Sequence, residues 1–224
     1  AEHYGLSTGL STLSTITTHS STLPPITDVF FHFSQKSTVA ATIFDATATA
    51  NTTGTTNTAF GNEALLTNTT GYTNTAVGHR SLKANTTGYG NTALGELGLF
   101  KNTTGSQNTS VGTTALRENS TASNNTAVGH GSVYYNTTGQ ANTAVGSLSL
   151  HYNTTGGYNT ASGYEALNSN TTGDNSVALG YRALYGSQTE DNLTAVGNEA
   201  ARSNTTGTGI VSMGYQSLYS NTTC

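Results

Sequence analysis

Apolar residues in this chain recur neither at strand spacing nor at helix spacing over any long stretch, but in a fixed pattern seventeen residues long. From Asn51 onward it reads N-T-T-G-x-x-N-T-A-V-G-x-x-A-L-x-x. Repeats start at Asn51, Asn68, Asn85, Asn102, Asn119, Asn136, Asn153, Asn170, Ser187 and Asn204, and an eleventh begins at Asn221. No insertion or deletion breaks the register, so every repeat must make the same circuit. Position 10 is usually large and apolar: Phe60, Val77, Leu94, Val111, Val128, Val145, Leu179, Val196 and Met213, with Ser162 the exception. Position 15 is Leu except at Val133 and Ala201, position 9 is Ala or Ser, and position 14 is Ala, Ser or Gly.

Within T-A-V, alternation puts positions 8 and 10 on one face and position 9 on the other. This predicts a short strand that ends at position 11, which is glycine throughout: Gly61, Gly78, Gly95, Gly112, Gly129, Gly146, Gly163, Gly180, Gly197 and Gly214. A glycine needed every time implies a corner with φ > 0 or a close backbone approach. A second short strand is expected over positions 13–16, with the position-15 leucine inward, and N-T-T-G reads as a turn. Two strands and two turns make one solenoid coil. A helical-hairpin repeat needs about 30 residues or more, and Gly with β-branched Thr and Val disfavours helix. The predicted fold is therefore all-β, a parallel β-solenoid of ten 17-residue coils with an N-terminal β-strand segment. At ~4.8 Å per coil the rod is ~48 Å long.

Its leucines and valines are too few to hold such a rod by themselves. Backbone ladders, association with other chains and a stack of Asn side chains at position 7 (Asn57, Asn74, Asn91, Asn108, Asn125, Asn142, Asn159) are expected to add to them. The small residues at positions 9 and 14 read in two ways. They form a face on which a second chain approaches closely, or they simply fit a tight coil.

Residues 1–50 form a separate region. Residues 6–22 are Ser/Thr-rich, with Leu-Ser-Thr recurring at Leu6, Leu10 and Leu13, and read as an arm that ends at Pro24-Pro25. Strands are predicted over 27–34, with Val29, Phe31 and Phe33 on one face, and over 38–44, with Val39, Ala41 and Ile43. A strand pair is marginal alone, so it either caps the solenoid's open end or pairs with a neighbouring subunit.

Only 8% of the 224 residues are charged, against about 25% in ordinary globular domains. The net charge of −4 carries no Lys/Arg cluster, so no nucleic-acid partner is expected. No apolar run approaches the ~20 residues of a transmembrane segment. Cys224 has no partner in the chain, so disulfides do not hold the fold. The start at Ala1 is what a mature secreted product, or an engineered start, would show.

Sequons occur at Asn51, Asn68, Asn85, Asn102, Asn119, Asn136, Asn153, Asn170, Asn204 and Asn221, and further ones at Asn108, Asn124 and Asn192. An acceptor in an exposed turn of a secreted protein suits N-glycosylation. Equally, N-T-T-G is a good turn in itself, and duplication copies any sequon along with it. No catalytic constellation is visible: Glu63, Glu96, Glu118, Glu165, Asp174 and Glu199 are scattered over the repeat and make no pair. His79 and His130 share position 12 but lie three coils apart, ~14 Å, and with His151 they read as surface decoration. No cofactor or metal is called for, and the G-G-x-G-x-D calcium-roll signature is absent.

The N-T-A-V-G core, above all Asn175-Ser176-Val177-Ala178-Leu179-Gly180, resembles the S-V-A-I-G core of the head repeats of trimeric autotransporter adhesins. Closely similar N-T-A-V-G-x-x-A-L repeats occur in fibre proteins of phage-tail type. The resemblance covers residues 51–223, with a longer period than the family's usual repeat. It implies a left-handed parallel β-roll, association of three chains, and binding to host matrix or cell surfaces. The expectation is an extracellular or cell-surface structural and adhesive fibre, non-enzymatic, forming a homo-oligomer (trimer or filament) and binding a host or matrix surface or glycans. Two alternatives share the fold. One is an ice-binding solenoid, from Thr at positions 2, 3 and 8, and the other is a virus or phage fibre shaft.

Overall fold

The computed structural model of the chain describes residues 41–44 and 52–223. The arm at 6–22, the strand expected over 27–34, the first residues of the one expected over 38–44, Asn51 and Cys224 lie outside the described residues. All described strands form one parallel sheet in which chain order and spatial order coincide. They are β1 (Ala41–Phe44), β2 (Asn57–Phe60), β3 (Thr75–Val77), β4 (Thr92–Leu94), β5 (Thr109–Val111), β6 (Thr126–Val128), β7 (Thr143–Val145), β8 (Thr160–Ser162), β9 (Val177–Leu179), β10 (Thr194–Val196) and β11 (Val211–Met213). From β2 onward each residue pairs with the one seventeen ahead, as Thr75 with Thr92 and Val77 with Leu94. β1 joins with an offset one residue shorter, Ala41 lying opposite Asn57. Residues 52–223 form a parallel β-solenoid with one strand and one 17-residue repeat per coil.

Each strand is short because the position-11 glycine ends it. Gly78 has φ of +127°, and a Cβ there would lie 2.7 Å from the carbonyl carbon of Gly95 in the next coil. Both the dihedral and the stacking distance therefore exclude a side chain.

The second expected strand, over positions 13–16, does not form. Those residues make a turn in which positions 13 and 15 are left-handed, as at Leu97 (φ 57°) and Leu99 (φ 50°), and position 6 is left-handed too, as at Gln107 (φ 58°). Each such side chain costs roughly 1–2 kcal/mol. The gain is direction, because the N–H now points along the rod. Leu82 N–H donates to Gly98 O (2.9 Å) and Leu99 N–H to Ala115 O (3.1 Å). Turns are thus hydrogen-bonded from coil to coil, as strands are, while the leucine itself is fully buried.

The interior settles which face of the strand is buried, and of the two readings of positions 9 and 14 it is the tight coil that holds. Position 9 points inward, with Ala76, Ala93, Ala127 and Ala144 fully buried, while position 10 points out, with Leu94 39% and Val145 43% exposed. The reason is space. The strand lies directly against its own turn, so that Ser110 Oγ on position 9 donates to Ala115 O on position 14 (2.8 Å). Only Ala or Ser fits between them. Small residues at 9 and 14 are therefore interior, and do not form an outer face for a second chain.

Asparagine fills the rest. The position-7 stack forms as expected: Asn91 N–H donates to Asn74 Oδ1 (2.9 Å) and Asn91 Nδ2 to Gly105 O (2.8 Å). A second ladder, at position 1, runs beside it. Asn102 Nδ2 donates to Asn85 Oδ1 (2.9 Å) and to Gly105 O (2.9 Å). The position-4 carbonyl thus accepts from both ladders, and four-residue turns are closed by buried amides rather than by apolar side chains. Where the chain carries Ser187, the ladder breaks and Asn170 Oδ1 is left buried without a donor. Ser187→Asn is expected to restore that bond and raise stability by about 1–2 kcal/mol, read as a higher denaturation midpoint in urea.

Candidate functional site

Because Ala faces inward, the opposite edge of every strand carries its largest side chains outward. Positions 8 and 10 form two parallel rows, from Thr58 and Phe60 at β2 to Val211 and Met213 at β11. In-register pairing stacks like on like, as Val111 beside Val128 and Val128 beside Val145. Phe60 is 56% exposed and Met213 69%. Apart from Ser162, the position-10 row is apolar and lies on the outward face of β2 to β11.

Charged residues brace neighbouring coils. Glu63 accepts from Arg80 Nε (2.6 Å) and Lys83 Nζ (2.7 Å), Glu165 from Arg182 Nε (2.6 Å), and Glu118 pairs with Lys101 Nζ (2.5 Å) and with Arg117. The hydrogen bonds from Lys83 and Arg80 hold the Glu63 carboxyl below the usual carboxylate range. A depressed folded value means that this brace contributes above the ordinary range and lapses as acid protonates it. Asp174 accepts from Gly157 N–H (2.6 Å), Glu199 from Gln216 Nε2 (2.9 Å), and Glu96 lies 3.5 Å from His79 Nδ1. His130 is exposed, and His151 Nδ1 lies 2.7 Å from Gly131 O. Among the described residues no three His, Cys, Asp or Glu come together as metal ligands would, and no helix is long and apolar enough to cross a membrane.

The sequons divide by burial. Asn68, Asn85, Asn102, Asn119, Asn136, Asn153, Asn170 and Asn204 are buried, and so is Asn108 at position 7. Their Nδ2 groups, the atoms that a glycan would occupy, donate inside the coil, for instance Asn136 to Asn119 Oδ1 and to Gly139 O. Sugars there are incompatible with the ladders, so the exposed-turn reading is corrected at the eight position-1 asparagines, and Asn108 is closed within the position-7 stack. Asn221 is half-buried, while Asn124 and Asn192 at position 6 are exposed.

Two surface features run along columns of the repeat that vary in residue type from coil to coil. At position 16, cations and aromatic rings alternate: the Arg117 guanidinium lies 5.4 Å from the Phe100 ring centre and 5.5 Å from that of Tyr134, and Arg202 repeats this between Tyr185 and Tyr219. Elsewhere tyrosines stack across coils, Tyr72 on Tyr89, Tyr135 on Tyr152 and Tyr164 on Tyr181. Their signal in the sequence is tyrosines seventeen apart for the stacks and alternating cation and ring at position 16 for the column.

Comparisons of the chain with known protein families, with curated proteins and with solved structures find no match.

Proposed function

We propose that this chain is an extracellular structural and adhesive fibre subunit, and that copies of it associate through the face built by positions 8 and 10. One observation carries the reading: position 10, apolar in every coil but that of Ser162, points away from the coil's own interior, with Leu94, Val145, Leu179 and Met213 exposed. A coil that spends its larger apolar residues outward is incomplete until another surface covers them. Covering by a second and third copy is favoured by the strict rung spacing, which lets identical rows meet in register along the whole rod. The resemblance of the repeat to adhesin heads and phage-tail-type fibres supports the same role, with a host or matrix surface as the partner. Any N-linked sugar would be confined, among the buried and exposed sequons described, to exposed sites such as Asn124 and Asn192.

Ice binding is the poorer use of this face. An ice plane wants a flat, uniform array, and position 10 ranges from Ser162 to Phe60 and Met213. The test is assembly. The intact chain is expected to sediment as a trimer or filament, and a Val111→Lys/Val128→Lys pair to sediment as a monomer with unchanged far-ultraviolet dichroism. A native monomer that never assembles overturns the reading, and thermal hysteresis by that monomer would put ice binding in its place.

A further inference from the structure

The Tyr135–Tyr152 stack borders a surface groove of about 560 Å³. One wall is position 17, with Glu118, Tyr135, Tyr152 and Ser169, and the other is position 2, with Thr137, Thr154 and Thr171. The two rings are nearly parallel, 8° apart with centres 5.5 Å apart, and Tyr152 is 48% exposed. His151 meets both tyrosines edge-on and steadies them. The next rungs of the column are Ser169, Gly186 and Ser203. The aromatic stack therefore stops at Tyr152, and Ser169 on the next rung leaves room for a further ring against Tyr152.

The opposite wall says what kind of ring fits. Thr137 Oγ1 donates to Thr154 O (3.0 Å), Thr154 Oγ1 to Thr171 O (2.9 Å) and Thr171 Oγ1 to Gln188 O (3.0 Å). Each hydroxyl has committed its hydrogen to the next coil and presents lone pairs only. The wall is a row of acceptors at rung spacing, and the tyrosine wall opposite adds the Glu118 carboxylate, whose charge is already met by Lys101 and Arg117. A ligand with an apolar ring face and several O–H donors along its edge satisfies both walls. A flat aromatic lacks the donors, and an anion would meet acceptors.

We infer that this groove binds a neutral oligosaccharide, one pyranose stacking on Tyr152 in the place left by Ser169 while its hydroxyls donate to Thr154 and Thr171. This supplies a ligand class for the adhesive role and rests on that reading for its biology. The groove uses positions 17 and 2, apart from the strand face, so that capture and assembly fail independently. The test is calorimetric titration of the intact chain with cellohexaose, chitohexaose and mannohexaose. Binding of at least one is expected, weakened at least about tenfold by Tyr152→Ala. Ser169→Tyr, which fills the gap and lengthens the stack without touching the interior, is expected to abolish it. Both variants should sediment as the native chain does, whereas the Val111→Lys/Val128→Lys pair should still bind sugar. No binding by any of the three probes, or binding that survives both groove substitutions, overturns the inference.

Discussion

Asn102→Asp is expected to destabilise the rod by about 3–5 kcal/mol at neutral pH, although it changes one atom's identity and almost no volume. The amide Nδ2 donates to Asn85 Oδ1 and to Gly105 O, both at 2.9 Å, and the residue is fully buried. Replacing NH2 by oxygen sets three acceptors against one another, where water cannot intervene. If ionised, the new carboxylate gains one useful contact, since Asn119 Nδ2 donates to residue 102 already (2.9 Å). That does not offset an otherwise unpaired buried charge. Burial among acceptors raises the folded pKa of the substituted acid above its unfolded value. The variant is therefore penalised most above the folded pKa and recovers as acid protonates it, when its O–H supplies one donor again. Native and variant chains should thus converge as pH falls, as measured by urea midpoints across a pH series. Asn124→Asp, on the exposed surface of the next coil, should shift the midpoint by less than about 0.5 kcal/mol. A loss at position 102 no greater than at 124 would mean that the ladder contributes nothing.

Much of the fold was legible because a period of constant length admits few architectures. Gly61 through Gly214 marked the corner, T-A-V marked the strand, and Asn57 through Asn159 marked one of the two interior ladders. What sequence reasoning missed has identifiable physical causes. Which face of the strand is buried stays open in the sequence because hydrophobicity and constancy point in opposite directions. Position 10 accepts Ser162, Val77 and Phe60 alike, a range that a close-packed interior does not tolerate, while position 9 never exceeds Ala or Ser in size. Strict smallness was the better sign of burial. The second strand was mispredicted because leucine gives no warning of left-handed backbone. Leu65, Leu82 and Leu99 adopt φ near +50° only because coil stacking rewards an N–H aimed along the axis, a term that local propensity does not contain. The position-1 asparagines were placed outside for a related reason. N-T-T-G is a turn, and turns usually face water, but in a solenoid every turn has neighbours above and below. Asn68 and Asn85 close that turn from within. The candidate surfaces were harder still, since the Tyr135–Tyr152 groove and the Arg117 stack depend on which residues happen to be one period apart.

Gly129→Ala is expected to cost about 3 kcal/mol or more, whereas Gly131→Ala, two residues on in the same turn, should cost only the roughly 1–2 kcal/mol of a left-handed side chain. The two glycines differ in both respects that matter. Gly129 has φ of +131°, and a Cβ there would lie 2.6 Å from the carbonyl carbon and oxygen of Gly146. Those are backbone atoms in the next coil, so relief requires the coils to part and the bond from Gly146 N–H to Val128 O (2.7 Å) to stretch. Gly131 has φ of +61°, and its Cβ would meet the flexible end of Leu148 at 3.0 Å. Other coils already carry Arg80, Leu97 and Arg182 at that position with φ of 51–58°, so the backbone accepts a side chain there. Because coils contact only their neighbours, a parted interface at Gly129 should also uncouple the two halves of the rod. Denaturation of the Gly129→Ala chain is accordingly expected in two steps, and that of Gly131→Ala in the native single step. Equal behaviour of the two variants would show that the corner glycines serve the dihedral alone and that coil spacing is free to relax.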